Sequence, residues 1–254
     1  MRAEVTEDGA LGGRLRLKQP RRGHRIGHDA ILLAAACPAR EGERVVELGA
    51  GVGAAGLAVA LRVPGTMVTL VEVDADLAAL AVENARLNGL AARVSAAVLD
   101  VAAPARAFVA AGLAPESVAR VLMNPPFNDP VRQRQSPDDR RRLAHADPGG
   151  TLGAWIKTAA RLLHPRGTLT LIWRADGLGE VVRALDPAFG GATVLPVHSK
   201  AGEPAIRILV RATKASRAPL VLRPGLVLND CAGRPTAQSE AVLRAGAALP
   251  LAEI

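Results

Sequence analysis

Arg44-Val45-Val46-Glu47-Leu48-Gly49-Ala50-Gly51-Val52-Gly53 is the stretch that decides the fold. Residues 44–48 read as a short buried strand, and the glycines that follow at every second position permit positive φ and let a ligand approach the backbone closely. The small-residue run over 54–61 then continues as a helix, whose first amide hydrogens lack intrahelical partners and face the same turn. Strand, glycine turn and helix together make a nucleotide-type crevice at the carboxyl end of a first strand. The turn departs from the nicotinamide fingerprint, because position 54 is alanine and the third glycine falls at Gly53 instead. The chain also has no tyrosine to serve a hydride-transfer site.

Downstream, the pattern repeats. Residues 67–72 form a second strand ending in Glu72, a carboxylate suited to accept from the two hydroxyls of a ribose. A surface acid or helix-end partner for Asp74 is the simpler role for the same residue. Residues 76–88 carry Leu77, Leu80, Ala81, Asn84 and Leu87 at helical spacing, closed by Gly89 as a C-terminal cap. A third strand over 94–99 ends in Asp100, and after a helix near 104–111 a fourth strand over 119–123 ends in Asn124. In an open parallel sheet all these carboxyl ends share one rim.

The fourth strand stops at Asn124-Pro125-Pro126-Phe127. Proline has no amide hydrogen, so this corner offers only acceptors: backbone carbonyls beside the Asn124 side-chain oxygen, with an aromatic face next to them. Such a pocket suits a planar group bearing an NH2, either the exocyclic amine of a nucleobase or a carboxamide, stacked on Phe127. A proline turn at a strand end is the plainer reading of the same residues.

The N-terminal part carries Arg14, Arg16, Lys18, Arg21, Arg22 and Arg25 with no acid among residues 14–25. Leu15 and Leu17 alternate with these cations, which predicts one short half-buried strand before a turn at Pro20. A phosphate-contacting patch and a merely solvated face both fit this run. His28-Asp29 leads into the apolar 30–36 run, a short buried helix with Asp29 in its first turn. The polar 128–150 segment, with Arg132, Arg134 and His145, has the length of a lid over the pocket that precedes it. Beyond it follow a helix over 155–163, a strand over 168–173, a helix over 178–185, two strands over 193–197 and 205–211 joined as an antiparallel hairpin, and a helix over 238–243. Residues 221–228 add a strand pair or pack along an edge.

Across 254 residues, Lys and Arg outnumber Asp and Glu by 32 to 24, for a net charge of +8 and a pI of about 10.8, which favours a polyanionic partner. Five aromatics are too few for the stacked surface of a general single-strand binder. Cys37 and Cys231 match no metal-ligand or disulfide spacing, so no metal is expected, and no apolar run reaches the roughly 20 residues of a membrane span. A cytoplasmic monomer of one domain over 1–254 is the resulting expectation, with a basic extension (1–40), a core (41–215) and a tail packed on it (216–254).

Glu47 to Gly53, Glu72, Asp100 and Asn124-Pro125-Pro126-Phe127 together resemble the class I S-adenosylmethionine-dependent methyltransferases, in particular the amino-methylating branch. Lys18-Gln19, His28 to Leu33 and Arg207-Ile208-Leu209-Val210-Arg211 are similar to the bacterial adenine-N6 methyltransferases of valine tRNA. The resemblance implies an α/β, Rossmann-like, seven-stranded mixed sheet with helices on both faces and a C-terminal antiparallel hairpin. It further implies S-adenosylmethionine as cofactor, with Glu47, Gly49, Gly51 and Gly53 at its methionine end, Glu72 at the ribose, Val73 and Val101 lining the adenine ring and Asp100 receiving that ring's amine, and Asp29 among the cofactor-binding residues. Asn124, Pro125, Pro126 and Phe127 become the catalytic corner acting on adenine in RNA, most simply tRNA. Guanine N2 in rRNA, a protein glutamine amide, and a non-catalytic RNA-binding module are the alternatives.

Overall fold

A computed structural model describes residues 4–21, 25–126 and 150–253 of the chain. The central parallel strands are β3 (Arg44–Leu48), β4 (Met67–Glu72), β5 (Val94–Val98), β6 (Val118–Met123) and β7 (Leu163–Arg174). The chain then turns back through β8 (Phe189–Lys200) and β9 (Ala205–Lys214), where β9 lies antiparallel between β7 and β8. The order across the sheet is β5-β4-β3-β6-β7-β9-β8. After β5 the chain returns to the far side of β3 to lay down β6, so the direction of winding reverses between β3 and β6. That reversal opens a crevice above their carboxyl ends.

Two short strands extend the seven, so the sheet has nine strands among the described residues rather than the expected seven. β10 (Val221–Leu222) and β11 (Leu226–Asn229) lie end to end along the outer edge of β8, both parallel to it. Pro224 lies between them and cannot donate to a ladder, which breaks what would be one edge strand into two.

Helices cover both faces. On one side lie α1 (His28–Ala36), α2 (Ala54–Arg62) and α3 (Ala75–Leu87), joined by the C-terminal helix α7 (Ala237–Leu243). On the other lie α4 (Ala105–Ala110), α5 (Gly150–Leu162) and α6 (Leu178–Leu185). With both faces covered, β6 is buried along its whole length, and its sequence is apolar apart from Arg120, whose guanidinium donates to Pro38 O at 3.1 Å and pairs with Glu43 at 2.6 Å.

The N-terminal region is a hairpin rather than a single strand: β1 (Val5–Ala10) pairs antiparallel with β2 (Leu15–Pro20). Val5–Ala10 contains two acids and a glycine and carries little strand signal of its own. It forms because β2 buries Leu15, Leu17 and Gln19 against the core and leaves one edge for β1 to pair with. The opposite edge of β2 is held by side chains of α3. Asn84 accepts from Lys18 N (2.7 Å) and donates to Lys18 O (2.9 Å), and Asn88 does the same with Arg16 at 2.9 and 2.7 Å. Two asparagines one helical turn apart thus stand in for a neighbouring strand. Asn84 is fully buried and also donates to Val52 O in the glycine turn at 3.1 Å. Asn84→Ala strands all three backbone groups, and its stability should fall by about 2 kcal/mol, read as a lower urea midpoint with an unchanged slope.

Candidate active site

Residues at the carboxyl ends of five adjacent strands meet on one rim, in the order Asp100 (β5), Glu72 (β4), Gly49 (β3), Asn124 (β6) and Arg174 (β7). Leu48 and Met123 are register partners, so Gly49 and Asn124 are the next residues of neighbouring strands at the switch point. Adjacent strands stand about 4.8 Å apart, so Asp100 to Asn124 spans three spacings, about 14 Å. The acids lie on one side of the switch point and the proline corner on the other.

The glycine turn has the backbone its sequence requires. Gly49, Gly51 and Gly53 have φ of 68°, 55° and 85°, and Gly53 caps α2. A Cβ on Gly51 would meet nothing within 4 Å, so the turn presents an open face at its middle. A Cβ on Gly49 would lie 2.2 Å from Cη2 of Trp155, which reaches across from α5. Trp155 is thereby placed in the site, although in sequence it reads only as part of a helix.

Glu72 is nearly buried and anchors this turn. Its Oε2 accepts from Gly51 N at 2.7 Å and its Oε1 from Asp74 N at 3.0 Å. Asp74 in turn caps α3, accepting from Asp76 N and Leu77 N. Each carboxylate oxygen has a second lone pair, so Glu72 retains acceptor capacity at the rim. Val73, the next residue, is 64% exposed, an apolar side chain standing in solvent beside an acid. Asp100 accepts from Ala102 N at 2.8 Å, while Val101 is buried and its carbonyl accepts from Thr158 Oγ1 at 2.9 Å.

Glu47 lies on the α2 side of β3, and its Oε2 accepts from Gly56 N at 2.6 Å. Burial pushes its pKa from 4.5 up to about 8, and the charge of Glu72 adds to the effect, while the Gly56 amide opposes it. An acid with a raised folded-state pKa stabilises the fold fully below pH 4.5 and loses that contribution as pH rises through about 8. Stability should therefore decline between those pH values, and Glu47→Gln should flatten the decline in denaturation curves measured across the range.

Asp29, in the first turn of α1, forms a half-buried ion pair with Arg207 at 2.9 Å. Arg207 is the register partner of Arg174, which brings Asp29 to the same rim beyond Asn124. Asn124 is half-buried, Pro125 buried and Pro126 exposed. Phe127, Arg22, Arg132, Arg134 and His145 lie outside the described residues.

The basic N-terminal run is not a bare cationic strip. Arg16 pairs with Glu7 (2.6 Å), Arg21 with Glu4 (3.0 Å), Arg25 with Asp8 (2.7 Å) and Lys18 with Glu83. Arg14 donates to Leu11 O at 3.3 Å. Two of the carboxylates, Glu7 and Asp8, come from β1, and Glu4 directly precedes it, so the pairing of β1 with β2 brings acids alongside the basic residues. Such exposed pairs contribute little and exchange readily for other anions.

The residues of the rim fit S-adenosylmethionine. An open glycine turn, a carboxylate fastened to it, an exposed valine and a second acid one strand further on can hold a methionine end, a ribose, an adenine ring and that ring's amine in turn. Residues 24–200 match the methyltransferase small domain family. An adenine-N6 methyltransferase named for position 37 of valine tRNA, from Tolumonas auensis, is 30% identical over 68% of this chain and 69% of its own. A release factor glutamine methyltransferase from Chlorobaculum tepidum is 27% identical over 66% of this chain and 58% of its own. Among solved structures, one from Agrobacterium tumefaciens described as a predicted O-methyltransferase superposes with a TM-score of 0.74 at 33% identity, covering 87% of this chain and 98% of that one. With the match over residues 24–200 and the rim built as it is, the chain belongs to the methyltransferase small domain family and is an S-adenosylmethionine-dependent methyltransferase.

Proposed function

We propose that this enzyme methylates the exocyclic N6 amine of an adenine in RNA, with valine tRNA as the substrate and the cytoplasm as its compartment. The observation that carries the reading is the position of Asn124, one strand across the switch point from the glycine turn. The name of the 30% identical relative supports the choice of adenine and of tRNA.

An aryl amine is a poor nucleophile because its lone pair is delocalised into the ring. In this reading the Asn124 side-chain oxygen and the Pro125 carbonyl accept its two hydrogens and draw the nitrogen towards a tetrahedral form. Phe127 replaces the stacking that the target base loses on leaving its neighbours. Glu72 and Asp100 hold the cofactor, with Val73 and Val101 along its ring and Asp29, Glu47, Gly49, Gly51 and Gly53 around its methionine end. When bound, S-adenosylmethionine supplies an electrophilic methyl on a sulfonium. RNA reaches the corner over Arg14, Arg16, Lys18, Arg21, Arg22, Arg25, Arg132 and Arg134, with phosphates exchanging for the carboxylates that now pair four of them.

Transfer to a protein glutamine amide is the second reading. It is favoured by the neutralisation of those four cations and by the release factor relative. Incubation with methyl-labelled S-adenosylmethionine and, separately, tRNA, rRNA and release factors separates the two. N6-methyladenosine in digested tRNA is the expected product; label in a release factor with unmodified tRNA would replace the first reading with the second.

A further inference from the structure

We infer that the cavity enclosed by α1, α2, the C-terminal segment around α7 and the β1–β2 turn is a binding site for a small monocarboxylate with an apolar body. The carboxylate is held by the guanidiniums of Arg14 and Arg62, and the body lies against the alanines of α1 and α2.

The cavity has a volume of about 190 Å³ and is lined by Arg14 and Arg62 together with apolar side chains and Gly246. Ala34 and Ala35 on α1 and Ala58 on α2 line it, and their short side chains leave space that larger residues would fill at a contact between helices. An apolar cavity of about 150 Å³ takes a benzene molecule, so a ring bearing a carboxylate is of the right size. None of the lining residues belongs to the glycine turn or to the carboxyl end of a strand. The part of α2 that lines the cavity is its C-terminal half, remote from Gly53.

The two cations set the chemistry. No acid lines the cavity, and among the described residues neither arginine has a carboxylate partner. Arg14 is exposed, and its Nη2 lies where a Cβ on Gly246 would be 2.6 Å away, so the bare glycine is what admits the guanidinium. Arg62 is half-buried and directs Nη2 to the carbonyls of Ala34 and Cys37 at 3.0 and 2.6 Å. Its Nε is buried with no partner among the described residues, and burial lowers its pKa from the ordinary value. A guanidinium taken from water without a counter-charge is costly, and an anion seated beside it offsets that cost. A neutral apolar ligand would leave both cations unmatched, and a bare phosphate would lose its hydration against alanine side chains. A carboxylate on an apolar body meets both demands, and a guanidinium binds it through paired hydrogen bonds.

Fluorine NMR titration of the full chain with 4-fluorobenzoate tests the site without turnover. Saturable binding with a Kd of about 1 mM or tighter is expected, with benzoate competing and benzyl alcohol at least about tenfold weaker as a competitor. Equal competition by benzyl alcohol, or by inorganic phosphate, would overturn the inference, as would no binding at all. Displacement of the probe by S-adenosylhomocysteine would place it in the cofactor crevice and overturn the inference equally. Ala58→Leu fills the cavity and should weaken the probe at least about tenfold while S-adenosylhomocysteine binds within about twofold of the wild type. Arg14→Gln, a surface substitution that keeps the fold even if Ala58→Leu does not, should weaken the probe at least about fivefold. Unchanged affinity in either variant refutes the site.

Discussion

Asn124→Ala is expected to lower the rate of methyl transfer by about 10²–10³-fold while S-adenosylhomocysteine still binds within about twofold of the wild type. The size follows from removing one preorganised hydrogen-bonding group aimed at charge that develops in the transition state. The selectivity follows from the rim: Asn124 ends β6, whereas Glu72 and Asp100 end strands on the other side of β3. The variant leaves intact the Glu72 bond to Gly51 that shapes the turn. Single-turnover measurement at saturating cofactor, with calorimetry on the same preparation, reads both quantities. A variant with normal turnover would remove Asn124 from the chemistry, and one that loses ligand binding would make it part of the cofactor site instead.

Gly49→Ala combines two penalties at one atom. The residue has a φ of 68°, where a side chain costs roughly 1–2 kcal/mol, and the added carbon meets the Trp155 ring at 2.2 Å. Forcing an aromatic side chain out of a packed position adds about 1–3 kcal/mol. The sum, about 2–5 kcal/mol, is a large share of the stability of an ordinary domain. Urea denaturation should show that loss, together with loss of cofactor binding because the turn and its roof both move. The double variant Gly49→Ala with Trp155→Ala should recover the steric part and leave the backbone part. Equal stability of the two variants would show that the clash is relieved elsewhere. Gly51→Ala is the contrasting case: it has a positive φ but open space, so it should show only the backbone penalty.

The residues at the strand ends were legible in the chain itself. Glu72, Asp100 and Asn124 each follow a short apolar run, and the glycine turn follows another. Parallel strands with covered faces read as continuous apolar segments, and their carboxyl ends share a rim whatever the details of packing. The charge of the N-terminal run was legible, but not its partners. Lys18 and Glu83 meet because β2 lies along α3, and the acids in and just before β1 reach Arg16, Arg21 and Arg25 because a weak strand found an edge to pair with.

Local pattern in this sequence therefore determined the order of the elements, the glycine turn and the polar groups at the sheet's rim, since each depends on side-chain periodicity or backbone freedom within a few residues. Tertiary structure alone decided that β3 and β6 are neighbours, so that Gly49 and Asn124 each follow the paired residues Leu48 and Met123, that Asn84 ties the hairpin to the turn, and that Trp155 covers the first glycine. Those contacts join residues far apart in the chain. They depend on strand order and on which face a helix presents, which no local repeat encodes.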